Sequence, residues 1–160
     1  MRPNKLMVVI PCYNEEPVLR ETARRLADKL AQMVADGLCA PDSRVLLVDD
    51  GSKDATWSII AALHGENPLF QGLKLTRNRG HQNALLAGLT TAAGHADVII
   101  SMDADLQDDM NAMDQFLLKY QTGCDVVYGV RNKRETDTFF KRQTALLFYR
   151  FMKALGVDIV

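Results

Sequence analysis

Hydrophobic residues along the chain fall into short runs, separated by longer stretches in which they recur every three or four positions. The runs lie near Leu6–Ile10, Arg44–Val48, Gly72–Leu75, Val98–Met102 and Asp125–Tyr128. Runs of that length without strict alternation predict strands buried on both faces. Leu19, Ala23, Leu26, Leu30 and Val34 recur at helical spacing between Pro17 and Gly37, and a proline at the start with a glycine past the end marks a helix. Further helices are predicted over Ala55–His64, Gln82–Ala93 and Met110–Tyr120, each filling a crossover between consecutive strands. Strand and helix in alternation predict an α/β fold, with a mainly parallel sheet and helices on both faces. A last helix is predicted over Thr138–Leu155, with Phe140, Leu147, Phe151 and Leu155 on one side and Arg142, Arg150 and Lys153 on the other.

The length of 160 residues suits one such domain. Its 48% hydrophobic and 24% charged composition is that of a globular protein. The net charge of -1 conceals an asymmetry that divides the domain in two. Residues 1–130 carry 12 Lys/Arg against 17 Asp/Glu, and residues 131–160 carry 7 against 3. The first part reads as the α/β core and the second as a basic amphipathic segment of the same domain, suited to a lipid phosphate or an anionic membrane surface. Nucleic acid is not expected as a partner, because no nucleic-acid module surrounds the basic residues. Cys12, Cys39 and Cys124 are odd in number and far apart, which argues against a disulfide framework and for a reducing compartment. No run reaches the roughly 18 apolar residues that span a bilayer, and no signal core follows the N-terminus.

In an open α/β sheet, ligands bind beyond the carboxyl ends of the strands, and the polar residues of this chain collect there. The first strand leads into Pro11-Cys12-Tyr13-Asn14-Glu15-Glu16, the second into Asp49-Asp50-Gly51-Ser52, and the fourth into Asp103-Ala104-Asp105-Leu106-Gln107-Asp108. A capped turn explains Asp49 to Ser52 as well as a binding loop does, although two adjacent carboxylates repel and a turn needs only one. Asp103 and Asp105 sit one residue apart at the end of a buried strand, which suits Mg²⁺ or Mn²⁺ held by hard oxygen ligands. An acidic loop capping the next helix is the plainer alternative. No glycine-rich phosphate loop is present, so phosphates must meet metal or arginine. Arg77, Arg79, Arg131 and Arg134 are available for that, or are solvated surface residues. His81 lies at a helix start on the same rim.

With these loops in place, the chain resembles the family 2 glycosyltransferases, in particular the polyprenyl-phosphate glycosyltransferases. The resemblance is carried by Val8 to Glu16, Val48 to Asp54, Arg77-Asn78-Arg79-Gly80-His81-Gln82, Met102 to Asp108 and Gly129-Val130-Arg131. It implies a GT-A fold that binds a nucleotide diphosphate sugar, UDP- or GDP-linked. Pro11, Tyr13, Glu15 and Asp50 would surround base and ribose, with Asn14, Asp49 and Ala104 in the same binding set. Asp103 and Asp105 would hold Mg²⁺ or Mn²⁺ on the diphosphate, with Gln107 close by, and Arg131 would join them in catalysis. Arg131, Arg134, Lys141 and Arg142 would receive the phosphate of a polyprenyl phosphate lipid at the membrane surface, with inversion at the anomeric carbon. The family relation also implies a place at the cytoplasmic face of a membrane.

Members of that family usually continue well beyond this length, so a C-terminally truncated GT-A unit is expected, with homo-oligomerisation through the exposed aromatic segment. Two alternatives stay open at this point: a nucleotide-sugar-binding module without turnover, and a family 2 enzyme with a soluble or polysaccharide acceptor. A phosphoacceptor receiver domain would explain Asp49-Asp50 after a strand but leaves the second acidic strand end unexplained.

Overall fold

The computed structural model describes residues 3–105, 107 and 109–130. Its elements run β1 (Leu6–Cys12), α1 (Leu19–Ala35), β2 (Arg44–Asp49), α2 (Thr56–Glu66), β3 (Phe70–Lys74), α3 (His81–Ala92), β4 (Val98–Ser101) and α4 (Ala112–Gln121). The strands form one parallel sheet in the order β3-β2-β1-β4. β1 is central and all seven of its residues are buried, which is why it reads as an unbroken apolar run.

Alternation along the strands sorts the core into two layers. Leu6, Val8, Ile10 and Cys12 pack with Val45 and Leu47 against α1, α2 and α4, through Leu19, Leu26, Ile60 and Leu117. Met7, Val9, Leu46 and Val48 face the opposite way and pack against α3 through Ala84 and Ala92. α3 lies close to the sheet at Gly88, where an added Cβ would stand 2.5 Å from Val9 Cγ1. The expected two-sided α/β architecture is what the chain adopts.

Element ends differ from expectation where local hydrogen bonding decides them. Residues 16–18 form a turn, and Val18 and Leu19 N–H both donate to Glu15 O, so α1 begins two residues after Pro17. At its other end, Leu38 N–H reaches Met33 O at 2.9 Å and Gly37 N–H reaches Val34 O at 3.0 Å, with Gly37 at φ 71. That paired closure requires the left-handed residue which glycine supplies.

One predicted strand is corrected. Asp125–Tyr128 carries no strand, and Val126 is exposed. β-branched residues favour a strand only where a ladder partner and a covered face exist, and among the described residues the sheet ends at β4. The predicted helix over Thr138–Leu155 and the residues Arg131, Arg134, Lys141 and Arg142 lie outside the described residues.

Candidate functional site

Because every strand is parallel, all four carboxyl ends share one rim. The chain winds from β1 outward through β2 to β3, then returns to place β4 on the other side of β1. The reversal between β1 and β4 leaves the crevice in which open α/β sheets bind ligands. Pro11 helps to open it. In a strand the N–H and C=O groups of alternate residues face the same neighbour, so Pro11 faces the β4 side, as Val9 does. The last paired residues there are Val9 and Ser101, with Met102 N–H donating to Val9 O at 3.1 Å. One pleat further on, a residue without an N–H has no ladder bond to lose.

The β1–α1 and β2–α2 loops are stitched together at this rim. Asn14 is the one non-glycine residue at positive φ among the described residues, at 55°, a conformation that asparagine tolerates better than most. Its N–H donates to Ser52 Oγ at 3.0 Å, and its Oδ1 accepts Lys53 N–H at 2.9 Å. Glu15 N–H donates to Thr56 Oγ1 at 2.8 Å. Glu16 N–H donates to Asp54 Oδ2 at 3.2 Å, while Glu16 Oε2 accepts Ala55 N–H at 3.0 Å. Tyr13 stands 40% exposed beside this seam.

Asp49 and Asp50 are both buried. Asp49 Oδ1 accepts Ser52 N–H at 3.1 Å, which shapes the turn, and its Oδ2 has no hydrogen-bond partner. Asp50 reaches the next loop along, where its two oxygens accept Arg79 N–H at 2.7 Å and Gly80 N–H at 2.9 Å. The paired carboxylates therefore shape two different loops, and the turn alone does not account for both.

On the far side of the crevice, Ala104 is buried while Asp103 and Asp105 on either side of it are exposed. Asp105 Oδ1 accepts Gln107 N–H at 3.0 Å. His81 Nε2, from the start of α3, comes within 3.7 Å of Asp103 Oδ1. Glu15 belongs to the same field. Its carboxyl is raised above the ordinary 4.5, first by desolvation and then by the negative charges of Asp105, Asp54 and Asp103. Cys12 behind it is pushed up to about 12 by burial and by Glu15 and Asp49, which leaves a thiol packed in the core and no nucleophile.

The negative charges of Asp105 and Asp103 are felt at Glu15, and exposed carboxylates at a strand end suit a hard divalent cation. Among the described residues no three or more His, Cys, Asp or Glu side chains form a ready-made metal cage. Mg²⁺ and Mn²⁺ need none when one or two carboxylates are completed by water and phosphate oxygens. Asp103 and Asp105 fit that role.

The raised Glu15 carboxyl has a measurable sign. A folded chain that holds its proton more readily than the unfolded chain loses stability as pH rises from the ordinary carboxyl range through the raised value. Glu15→Gln, melted in EDTA, is expected to unfold at a higher temperature than the wild type at pH 7, with the gap closing toward pH 4. A gap that is absent or independent of pH would contradict the raised Glu15 carboxyl.

Some residues of the rim escape a reading of the sequence. Asp54 and Thr56 carry a detectable signal, since Asp-x-Thr ahead of a helical stretch is a capping pattern. Thr22 carries none: its hydroxyl bonds Ala104 O across 82 positions of sequence.

The chain is similar to proteins already known. The family model described as glycosyl transferase family 2 matches residues 7–158. An uncharacterized glycosyltransferase of Bacillus subtilis (strain 168), YkoT, is 52% identical over 155 residues, which is 97% of this chain and 46% of that protein. The prophage bactoprenol glucosyl transferase homolog of Escherichia coli (strain K12) is 40% identical over 149 residues, 91% of this chain and 45% of that protein. The chain thus spans about half the length of these relatives. A solved structure, the mannosyltransferase PcManGT from Pyrobaculum calidifontis in complex with GDP-Man and Mn²⁺, superposes with a TM-score of 0.53 at 24% identity, over 70% of this chain and 31% of that one. That likeness is one of fold, the GT-A arrangement.

Proposed function

Because the chain belongs to glycosyl transferase family 2, we propose that this glycosyltransferase binds a UDP- or GDP-linked sugar in the crevice between β1 and β4 and passes its hexose, with inversion, to a polyprenyl phosphate. The observation that carries the reading is the placement of Glu15, Asp103 and Asp105 at the carboxyl ends of β1 and β4, with the Glu15 carboxyl raised first by desolvation and then by Asp105, Asp54 and Asp103. A relative named for bactoprenol glucosyl transfer supports the lipid acceptor, and a neighbour solved with GDP-Man and Mn²⁺ supports the donor class and the metal.

The residues divide the work by chemistry. Asp103 and Asp105 would hold a divalent cation, which when bound would stabilise the charge developing on the leaving group. The seam formed by Asn14, Glu16, Asp54 and Thr56 holds Tyr13 and Glu15 at the base and ribose end. Asp50 fixes the Arg79-Gly80 corner beside them. A polyprenyl phosphate is already anionic, so alignment opposite the leaving group matters more than a strong base. Arg131, Arg134, Lys141 and Arg142 supply the positive charge for its phosphate, and the 131–160 segment keeps the enzyme at the cytoplasmic face of a membrane.

Thermal melts with UDP-, GDP- and dTDP-sugars, in Mn²⁺ and in EDTA, test the donor reading. A ligand bound only by the folded chain adds about 2.7 kcal/mol at a hundred times its dissociation constant. One base is expected to raise the melting temperature in Mn²⁺ and to do so far less in EDTA; no Mn²⁺-dependent rise with any of them would overturn the proposal.

A further inference from the structure

Helix α1 covers the sheet with Leu19, Ala23, Leu26, Leu30 and Met33, all buried. Two other buried positions on it are polar: Thr22 at 1% exposure and Lys29 at 8%. They are seven residues apart, two turns or about 10.5 Å along one face of the helix. Aliphatic side chains would fill both places without the desolvation cost of a hydroxyl and an ammonium group.

Both polar groups reach the same stretch of chain. Thr22 Oγ1 donates to Ala104 O at 2.8 Å, closer than the 3.1 Å to Val18 O in its own helix. Lys29 Nζ lies 2.7 Å from Asp114 Oδ2 and 3.5 Å from Asn111 Oδ1. Ala104 and Asn111 bracket the acidic segment that follows β4. One helix therefore meets the chain on either side of that segment.

The near contact bears directly on the carboxylates. The Ala104 carbonyl belongs to the peptide unit that joins Ala104 to Asp105, and Ala104 itself is buried at 3% exposure between two exposed aspartates. Rotation of that peptide would swing Asp105 and shift its spacing to Asp103. We propose that Thr22 is a positioning residue for the metal site, holding the Ala104 carbonyl so that Asp103 and Asp105 keep one orientation, with Lys29 as the distal anchor. The proposal rests on the reading of Asp103 and Asp105 as metal carboxylates.

The test uses Mn²⁺ alone, added to the chain without nucleotide and followed by the EPR signal of the free ion. Outer-sphere partners commonly change metal affinity by 10–100-fold, so Thr22→Val is expected to raise the Mn²⁺ dissociation constant about tenfold, while Thr22→Ser keeps it near the wild-type value. Thr22→Ala removes the same hydroxyl without crowding and replaces Thr22→Val if that variant does not fold. Asp105→Asn is run beside them. If Asp105→Asn loses Mn²⁺ while Thr22→Val and Thr22→Ala bind it as the wild type does, the positioning role is wrong and the metal site stands. If Asp105→Asn itself binds Mn²⁺ normally, the underlying metal reading is wrong. A lower melting temperature for Thr22→Val with unchanged affinity, or a Thr22→Ser variant as weak as Thr22→Val, also overturns the proposal.

Discussion

Gly51→Ala is expected to lower the stability of the domain by about 2–5 kcal/mol, the sum of a left-handed backbone penalty and an overpacking penalty. Gly51 sits at φ 69, and a Cβ built on it would stand 2.5 Å from Arg77 C, 2.6 Å from Asn78 N and 2.7 Å from Arg77 Cα. Backbone atoms are the obstacle, so no side-chain rotation relieves the contact. The loop they belong to cannot withdraw without cost, because Asp50 next to Gly51 holds Arg79 and Gly80 N–H. Gly37 provides the internal control. It has nearly the same φ, 71, but an added Cβ there meets nothing within 4 Å, so Gly37→Ala isolates the backbone penalty of about 1–2 kcal/mol. Urea unfolding of the two variants separates the contributions. Equal losses at the two sites would mean that the Gly51 loop yields freely and does not brace the rim.

That close approach marks where reading the sequence stops. Asp49-Asp50-Gly51-Ser52 is recognisable as a turn from its residue types, but the backbone that meets Gly51 lies 26 positions further along. The strands were legible because β1 and β2 are buried on both faces and so appear as uninterrupted apolar runs. α1 was legible because a single apolar stripe repeats along it and Gly37 closes it. Asp125–Tyr128 misled for a related reason: Val126 and Val127 carry the composition of a strand, whereas pairing depends on a neighbouring edge that a local pattern does not contain.

The rim shows the same limit on a smaller scale. Tyr13, Glu15, Asp50, Asp103 and Asp105 follow from strand ends and side-chain chemistry, and the fold brings their loops to one side of the sheet. What each carboxylate does there depends on tertiary partners. Each oxygen of Asp50 accepts an N–H group of another loop, and Glu16 closes a reciprocal bond with Asp54 and Ala55. Thr22 and Lys29 interrupt an apolar helix face, and only the folded chain shows that both point at the acidic segment.

Asp105→Asn is expected to have the largest effect on function with the least effect on fold. Asp105 is exposed, and surface substitutions away from special features usually change stability by no more than about 0.5 kcal/mol. Its one hydrogen bond among the described residues, from Gln107 N–H to Oδ1 at 3.0 Å, survives because the asparagine side chain keeps a carbonyl oxygen in that place. The change removes one negative charge from a site where Glu15 already feels Asp105 as its strongest charged neighbour. A neutral amide is a much weaker partner for a hard cation than a carboxylate. Calorimetry with UDP and GDP is therefore expected to show that nucleotide affinity in Mn²⁺ drops to its level in EDTA. Sugar release from UDP-glucose or GDP-mannose should fall by about 10²–10³-fold, the scale on which a lost electrostatic contact to a developing charge is felt. The melting temperature in EDTA should stay level or rise slightly as repulsion with Glu15 is relieved. A variant that keeps Mn²⁺-stimulated nucleotide affinity would show that the cation is held elsewhere, and the assignment of the diphosphate to this end of the crevice would fall with it.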